Sequence, residues 1–124
     1  RHQPRYQRVH PSHHLVFWTL RNAATDPVLL SCEPGNALDL MQRAWSAADS
    51  VLPPVHHERV ILLDQLAQAF VAAGNTQGAH EAYTMAHSMA CRVSGRESIF
   101  SKEVHDFVKR TPKSVEEMQN MYAQ

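Results

Sequence analysis

The sequence has few cysteines and no long apolar run. Only two cysteines occur among its 124 residues, and neither belongs to a CxxC motif. A domain of this size does not need a disulfide, so a reducing compartment is expected. No stretch approaches the roughly 18 consecutive apolar residues that span a bilayer. The sequence therefore predicts an intracellular protein without a membrane association.

The chain also lacks an excess of either charge. Twelve Lys and Arg residues balance twelve Asp and Glu residues, which gives a formal net charge of +0. A dedicated nucleic-acid binder normally carries a basic surplus, and this chain has none overall. With 44% hydrophobic and 19% charged residues, the composition favours a globular fold over a disordered or fibrous one.

The motifs of common catalytic sites are absent. There is no GxSxG, no P-loop, no GxGxxG and no Cys–His signature. Two histidine clusters, at His10, His13 and His14 and at His56 and His57, lack the cysteine or well-spaced carboxylate that would complete a metal site. We therefore predict a non-enzyme with no catalytic residue, no cofactor and no metal.

The N-terminal segment differs from the rest in charge. Residues 1–14 contain three Arg, four His and no acidic residue, so the remainder carries the compensating negative charge. The first 12 residues predict an extended arm that becomes ordered only against an acidic partner. We expect that partner to be a protein, with nucleic acid possible only through this arm, and the candidate contacts are Arg1, Arg5 and Arg8.

After the arm, apolar residues recur in steps of three and four, which indicates helices. No segment shows the sustained apolar–polar alternation of a strand. Thr111 is predicted to cap the last helix, and Gly74 suits the left-handed position after the third. The predicted fold is all-α, with about six helices at roughly 13–24, 36–51, 56–73, 75–93, 97–110 and 113–122.

The second and fourth predicted helices repeat each other. A shift of 42 residues places Ala37 on Ala79, Leu40 on Ala82, Met41 on Tyr83, Ala44 on Ala86, Ala48 on Ala90, Val51 on Val93, Leu62 on Val104 and Leu66 on Val108. A fixed period in this range is typical of a helical-hairpin solenoid, in which each unit packs against its neighbours.

Residues 60–91 carry a more specific pattern of large, small and aromatic side chains. The pattern consists of Leu63, Leu66, Ala67 and Phe70 on one helix and Ala79, Tyr83 and Ala86 on the next. In this order, it resembles a tetratricopeptide (TPR) repeat. The resemblance implies a short right-handed TPR-like helical-hairpin solenoid that recognises proteins along a concave face.

The 42-residue period and the turn at Gly95, Arg96 and Glu97 resemble two families. One is the repeat of kinesin light chains, which implies a protein–protein interaction or assembly module. The other is the C-terminal helical domain of the SET-and-MYND (SMYD) lysine methyltransferases. That resemblance implies an accessory domain whose catalytic part lies elsewhere. Because the chain begins without Met, we expect a fragment or a processed or partly ordered chain. The N-terminal arm also suits a scaffold or a structural subunit of a large complex, because such arms become ordered on a neighbour.

Three segments follow from these patterns: the arm at 1–12, the repeat domain at 13–110, and a capping or docking helix at 111–124. An exposed Trp18 or Trp45 would be an interface anchor, and the alternative is that the core takes in both. The candidate partner-binding residues outside the arm are His14, Arg21, Asn22, Gln65, Gln68, Met118, Met121 and Tyr122.

Overall fold

The structure is a computed structural model that describes residues 32–123. Within that range it is all-helical and contains no strand, as the periodicity predicted. The predicted arm and first helix, with Arg1, Arg5, Arg8, His14, Trp18, Arg21 and Asn22, lie outside the described residues. The five described helices are α1 (Pro34–Val51), α2 (His57–Ala72), α3 (Thr76–Ser94), α4 (Ile99–Lys109) and α5 (Val115–Ala123).

The helix ends are set by local side-chain caps. The Asn75 side chain accepts a hydrogen bond from the Gly78 amide at 2.8 Å, and Ser98 Oγ accepts one from the Ser101 amide at 3.0 Å. Gly74 and Gly95 have φ values of 80° and 90° after α2 and α3, a conformation that favours glycine. These local signals help to explain why the predicted boundaries of the five described helices lie within two residues of the observed ones.

The predicted cap of α5 is wrong. The Thr111 hydroxyl donates to the Phe107 carbonyl at 3.0 Å and lies 3.0 Å from His80 Nδ1, so it is already engaged with α3 and α4. Ser114 takes the capping role instead, because its Oγ accepts a hydrogen bond from the Glu117 amide at 3.1 Å. The helix therefore begins later than the sequence predicted.

Each helix packs against the next one in the chain from α1 to α4, and α5 folds back against α2. The α2–α3 crossing is close because small residues line it. Ala67 and Ala79 are fully buried, and a Cβ atom added at Gly78 would lie 2.6 Å from the Phe70 ring. Short side chains at this crossing let Phe70 pack directly on the backbone of α3.

A buried arginine joins α1 to α2. Arg59 is 5% exposed, and its guanidinium donates to the carbonyl oxygens of Leu52 at 2.9 Å and Ala48 at 3.3 Å. It also donates to the Pro53 carbonyl and, at 3.2 Å, to the Asp49 carboxylate. Arg59 thereby supplies donors to the Leu52 and Pro53 carbonyls beyond the end of α1, and a second donor to the Ala48 carbonyl, which also accepts the Leu52 amide at 2.8 Å.

The ring of Trp45 lies beside Arg59, with the guanidinium carbon 5.5 Å from the ring centroid. Trp45 is half-buried and packs against the core. The Arg59 guanidinium and the core therefore cover part of the Trp45 ring.

Burial repeats along the chain with the 42-residue shift. The pairs Ala37/Ala79, Met41/Tyr83, Ala44/Ala86 and Ala48/Ala90 are all at most 1% exposed. Leu62 and Val104 are also both buried. The match is weaker at three pairs: Leu40 and Val108 are half-buried whereas their counterparts Ala82 and Leu66 are buried, and Val93 is 36% exposed whereas Val51 is half-buried. The predicted core stripe of α3 therefore ends at Ala90.

Candidate partner-binding cleft

A cavity of about 330 Å³ lies between α2, α4 and α5. We call it the α2–α4 cleft, and its lining residues are Ile61, Asp64, Phe100, Glu103, Val104, Asp106, Phe107, Arg110, Met121 and Tyr122. Helix α4 supplies most of one wall, because residues spaced three and four apart lie on one face of a helix. The cleft thus combines apolar and aromatic walls with four charged side chains.

Tyr122 connects α5 to the rest of the molecule. Its hydroxyl donates to Asp64 Oδ1 at 2.7 Å and lies 3.0 Å from the Tyr83 hydroxyl, which is left to act as the donor in that second bond. Its ring centroid is 4.4 Å from that of Phe107, which stacks in turn on Tyr83 at 5.0 Å. One side chain therefore ties α5 to α2, α3 and α4.

Asp64 is the half-buried carboxylate at the base of this arrangement. Burial raises the pKa of Asp64 above its usual value, and hydrogen bonds from Tyr122 and Gln68 partly offset the rise. Burial also raises the pKa of Tyr83 and of Tyr122, and the nearby Asp64 charge adds to both shifts. Both phenols therefore remain protonated hydrogen-bond donors.

The carboxylates of the cleft have no cationic partner within the described part of the chain. The ion pairs there join Arg43 to Asp39, Arg59 to Asp49, and Lys102 to Glu97. Asp64, Glu103 and Asp106 belong to none of these pairs. The cleft is consequently a negatively charged site with one cation, Arg110, at its edge.

The structure brings two of the predicted contact residues, Met121 and Tyr122, into the cleft. Gln68 lies behind it, half-buried, and donates to Asp64 Oδ2 at 2.9 Å. Gln65 is also half-buried on α2. Met118 is 7% exposed in the core, because α5 folds onto α2, and so its side chain is not available to a partner.

Sequence reasoning missed the charged residues of the cleft. Asp64, Glu103 and Asp106 alternate with apolar positions of α2 and α4 and look like an ordinary solvated helix face. The available signal was the apolar series Phe100, Val104 and Phe107 on α4, whose neighbours share the same face. The sequence pattern does not indicate that this series and α5 line the same cavity.

A second cavity, of about 670 Å³, lies on another face of α4, next to α3. We call it the α3–α4 cleft, and its lining includes His87, Cys91, Arg92, Arg96, Lys102 and His105. The rings of His87 and His105 stack with centroids 4.8 Å apart. Partial burial, His105 and Arg96 together lower the pKa of His87. This cleft is predominantly basic.

Neither cysteine forms a disulfide, and both residues of the second histidine cluster, His56 and His57, have contacts within the described chain. Cys32 and Cys91 are free thiols, and Cys91 Sγ lies 3.5 Å from His87 Nε2, one turn away on α3. His56 caps α2 by accepting a hydrogen bond from the Glu58 amide at 3.0 Å, and the His57 ring contacts Phe100. Among residues 32–123, no group of three His, Cys, Asp or Glu side chains is placed to hold a metal ion.

Across residues 32–123, no helix combines the length and the apolar character that crossing a bilayer requires. Compared with protein-family models, curated proteins and solved structures, the chain matches none of them.

Proposed function

We propose that this chain is a non-catalytic module for protein–protein interaction or assembly, built on TPR-like hairpins within a larger complex. In this assignment, α2 and α3 form one hairpin, α1 ends the preceding unit and α4 begins the following one. The observation that carries the proposal is the α2–α4 cleft, because it lies between the helices that would begin successive units.

The repeated burial supports the same assignment. Four residue pairs, related by 42 positions, place fully buried or nearly fully buried side chains on both α1 and α3. Small residues at the α2–α3 crossing match the TPR pattern of Ala67 and Ala79 beside Phe70 and Tyr83. Units that share one packing scheme are the basis on which helical repeats build extended binding surfaces.

The role assigned to α5 is to cap the stack. It packs on α2, buries Met118 and contributes two side chains to the cleft. An amphipathic helix that folds back onto a repeat unit in this way covers an apolar face of that unit. The polar groups of the cleft base, Asp64, Tyr83 and Tyr122, bond to one another, which supports a structural use in preference to a catalytic one.

Site-specific photo-crosslinking tests the proposal. Arg110 lies at the cleft edge and is exposed, whereas Glu81 is exposed on α3 and does not line the cleft. We expect Arg110→benzoylphenylalanine to give a discrete protein adduct in cells of the native source, and Glu81→benzoylphenylalanine to give none of the same mass.

Two results would contradict the interaction module. The first is the absence of any adduct from position 110, and the second is an identical set of adducts from both positions. An adduct only to a catalytic domain of the same polypeptide would instead support the SMYD-like accessory role.

A further inference from the structure

The α2–α4 cleft has more negative than positive charge on its walls. Asp64, Glu103 and Asp106 contribute three carboxylates, and Arg110 contributes the only cation that lines it. None of the three carboxylates forms an ion pair with another of the residues 32–123. The cavity therefore favours a positively charged occupant and repels an anion.

Aromatic rings form the other distinctive part of the walls. Phe100, Phe107 and Tyr122 line the cavity. Phe107 is 7% exposed and packs on Tyr83 and Tyr122, so the more exposed rings of Phe100 and Tyr122 are the ones that can meet a ligand. A cation placed over an aromatic face is attracted by the negative π-surface of the ring. Rings and carboxylates around one cavity together suit a cationic group attached to an apolar stem.

Of the two basic side chains, arginine fits these walls better. Its guanidinium is planar and weakly hydrated, so it stacks on aromatic faces, and its fixed fork of donors matches carboxylate oxygens. Lysine presents a compact, strongly hydrated charge, which loses more on leaving water. The three-carbon stem of arginine would contact the apolar part of the wall at Ile61, Val104 and Met121.

We propose that the α2–α4 cleft binds an arginine side chain of a partner polypeptide, which rests on the proposed interaction role and specifies its ligand. Glu103 and Asp106 receive the guanidinium at the exposed edge, and the aromatic rings hold its plane. Arg110 is a competing cation at the same edge. Removing its charge therefore strengthens binding, whereas binding by apolar contact alone would not respond to this change.

The test uses the full 124-residue chain and a fluorescein-labelled, blocked pentapeptide with one central arginine flanked by leucines. The matched control peptide carries citrulline at the central position, which keeps the shape of arginine and removes its charge. Fluorescence anisotropy is expected to show at least about tenfold weaker binding of the citrulline peptide, and weaker binding of a lysine peptide as well.

Substitutions at exposed positions test the contribution of each charged side chain separately. Glu103→Gln and Asp106→Asn should each weaken binding of the arginine peptide by about two- to fivefold, the size typical of partly exposed ion pairs. Arg110→Gln should strengthen it by a similar factor. Glu81→Gln, on α3 and away from the cleft, is the control and should leave the affinity unchanged. Circular dichroism of each variant confirms that the fold is retained.

Equal binding of the arginine and citrulline peptides would overturn the proposal, as would affinities that do not respond to Glu103→Gln and Asp106→Asn. Equal binding of the lysine peptide would overturn the choice of arginine. If the position-110 adduct persists while the peptides show no charge dependence, the interaction module stands and the arginine site fails. If the peptides behave as expected but no adduct forms, the interaction module itself fails.

Discussion

Helix α2 is held against α1 and against α3 by different kinds of interaction. Towards α1, the buried stripe of Met41, Ala44 and Ala48 is joined by a polar contact, the guanidinium of Arg59, which donates to carbonyl oxygens and one carboxylate. Towards α3, the junction is apolar and depends on small residues that let Phe70 pack against the backbone at Gly78. The comparison shows that hydrogen bonds can contribute to fixing a helix on one side while close packing fixes it on the other.

The two junctions differ in what a substitution removes. Deleting the guanidinium removes its donors to the partly buried Leu52 and Pro53 carbonyls, and a partly buried acceptor that loses its donor retains a desolvation cost. Enlarging a small residue adds volume that a close-packed interface cannot absorb without strain. The polar junction is therefore sensitive to loss of atoms, and the apolar junction to their gain.

The largest effect is expected from Arg59→Leu. It keeps the apolar packing and removes the donors to Ala48, Leu52 and Pro53, so unfolding should require about 2–4 kcal/mol less. Urea denaturation measures the change. The control is Arg43→Leu, which removes an exposed pair with Asp39 at 3.9 Å and should cost at most about 0.5 kcal/mol. Equal costs for the two variants would contradict a polar junction.

Ala79→Leu and Ala86→Leu test the apolar junction from the side of α3. Both alanines are fully buried, so the added methyl groups would have to displace neighbouring side chains. Each substitution should lower the free energy of unfolding by about 1–3 kcal/mol. Unchanged urea midpoints for both variants would show that this crossing is looser than the structure indicates.

Alanine substitutions at two glycines test the close packing more sharply, because they should change the stability in opposite directions. Gly78→Ala places a Cβ 2.6 Å from the Phe70 ring, and its strain should exceed the gain in helix propensity, with a net loss of about 0.5–2 kcal/mol. Gly35→Ala in α1 meets nothing within 4 Å and should stabilise by about 0.5–1 kcal/mol. Thermal unfolding of both variants measures the two changes. An increase in stability at both positions would show that the α2–α3 crossing is not closely packed at Gly78.

The smallest effect concerns pH and the attachment of α5 to α2. Because burial raises the pKa of Asp64 above 3.8, the folded state binds its proton more tightly than the unfolded state does. Its contribution to stability is present below the unfolded pKa and is lost as the pH rises through the folded value. Relative to Asp64→Asn, the wild type should therefore lose stability as the pH rises above 3.8 and through the raised folded pKa of Asp64.

Tyr122→Phe provides the comparison for that pH profile. The hydrogen bond from Tyr122 lowers the pKa of Asp64, so its removal should extend the loss of stability to higher pH. Urea unfolding across the pH series measures both profiles. Parallel curves for the wild type and Asp64→Asn would show that this carboxylate titrates alike in the folded and unfolded states.

The contrast between the junctions also explains what the sequence could predict. The helices and the burial of Ala37, Ala44, Ala79 and Ala86 follow from local periodicity, and the caps at Asn75 and Ser98 keep the boundaries close to those expected. The small-residue crossing was predictable for the same reason, because a helix places residues of one face at fixed intervals.

The polar contacts were not predictable in this way. Arg59 reaches back to the end of α1, and Tyr122 bonds to Asp64 across 58 positions of the chain. A charged residue next to a buried stripe has the same local pattern whether it faces solvent or a neighbouring helix. Met121 and Tyr122 were identified through their apolar stripe, but the carboxylates opposite them depend on how α5 folds back.

The shortness of α5 has a kinetic consequence. A nine-residue helix is below the length of about 12–15 residues at which isolated helices become marginally stable, so its helicity depends on its docking. Its amides should therefore exchange with deuterium faster than those of the buried centre of α2, through local opening. Because Met121 and Tyr122 are part of the cleft wall, each opening also dismantles the cleft, and an occupant that holds the wall in place would slow exchange in α5.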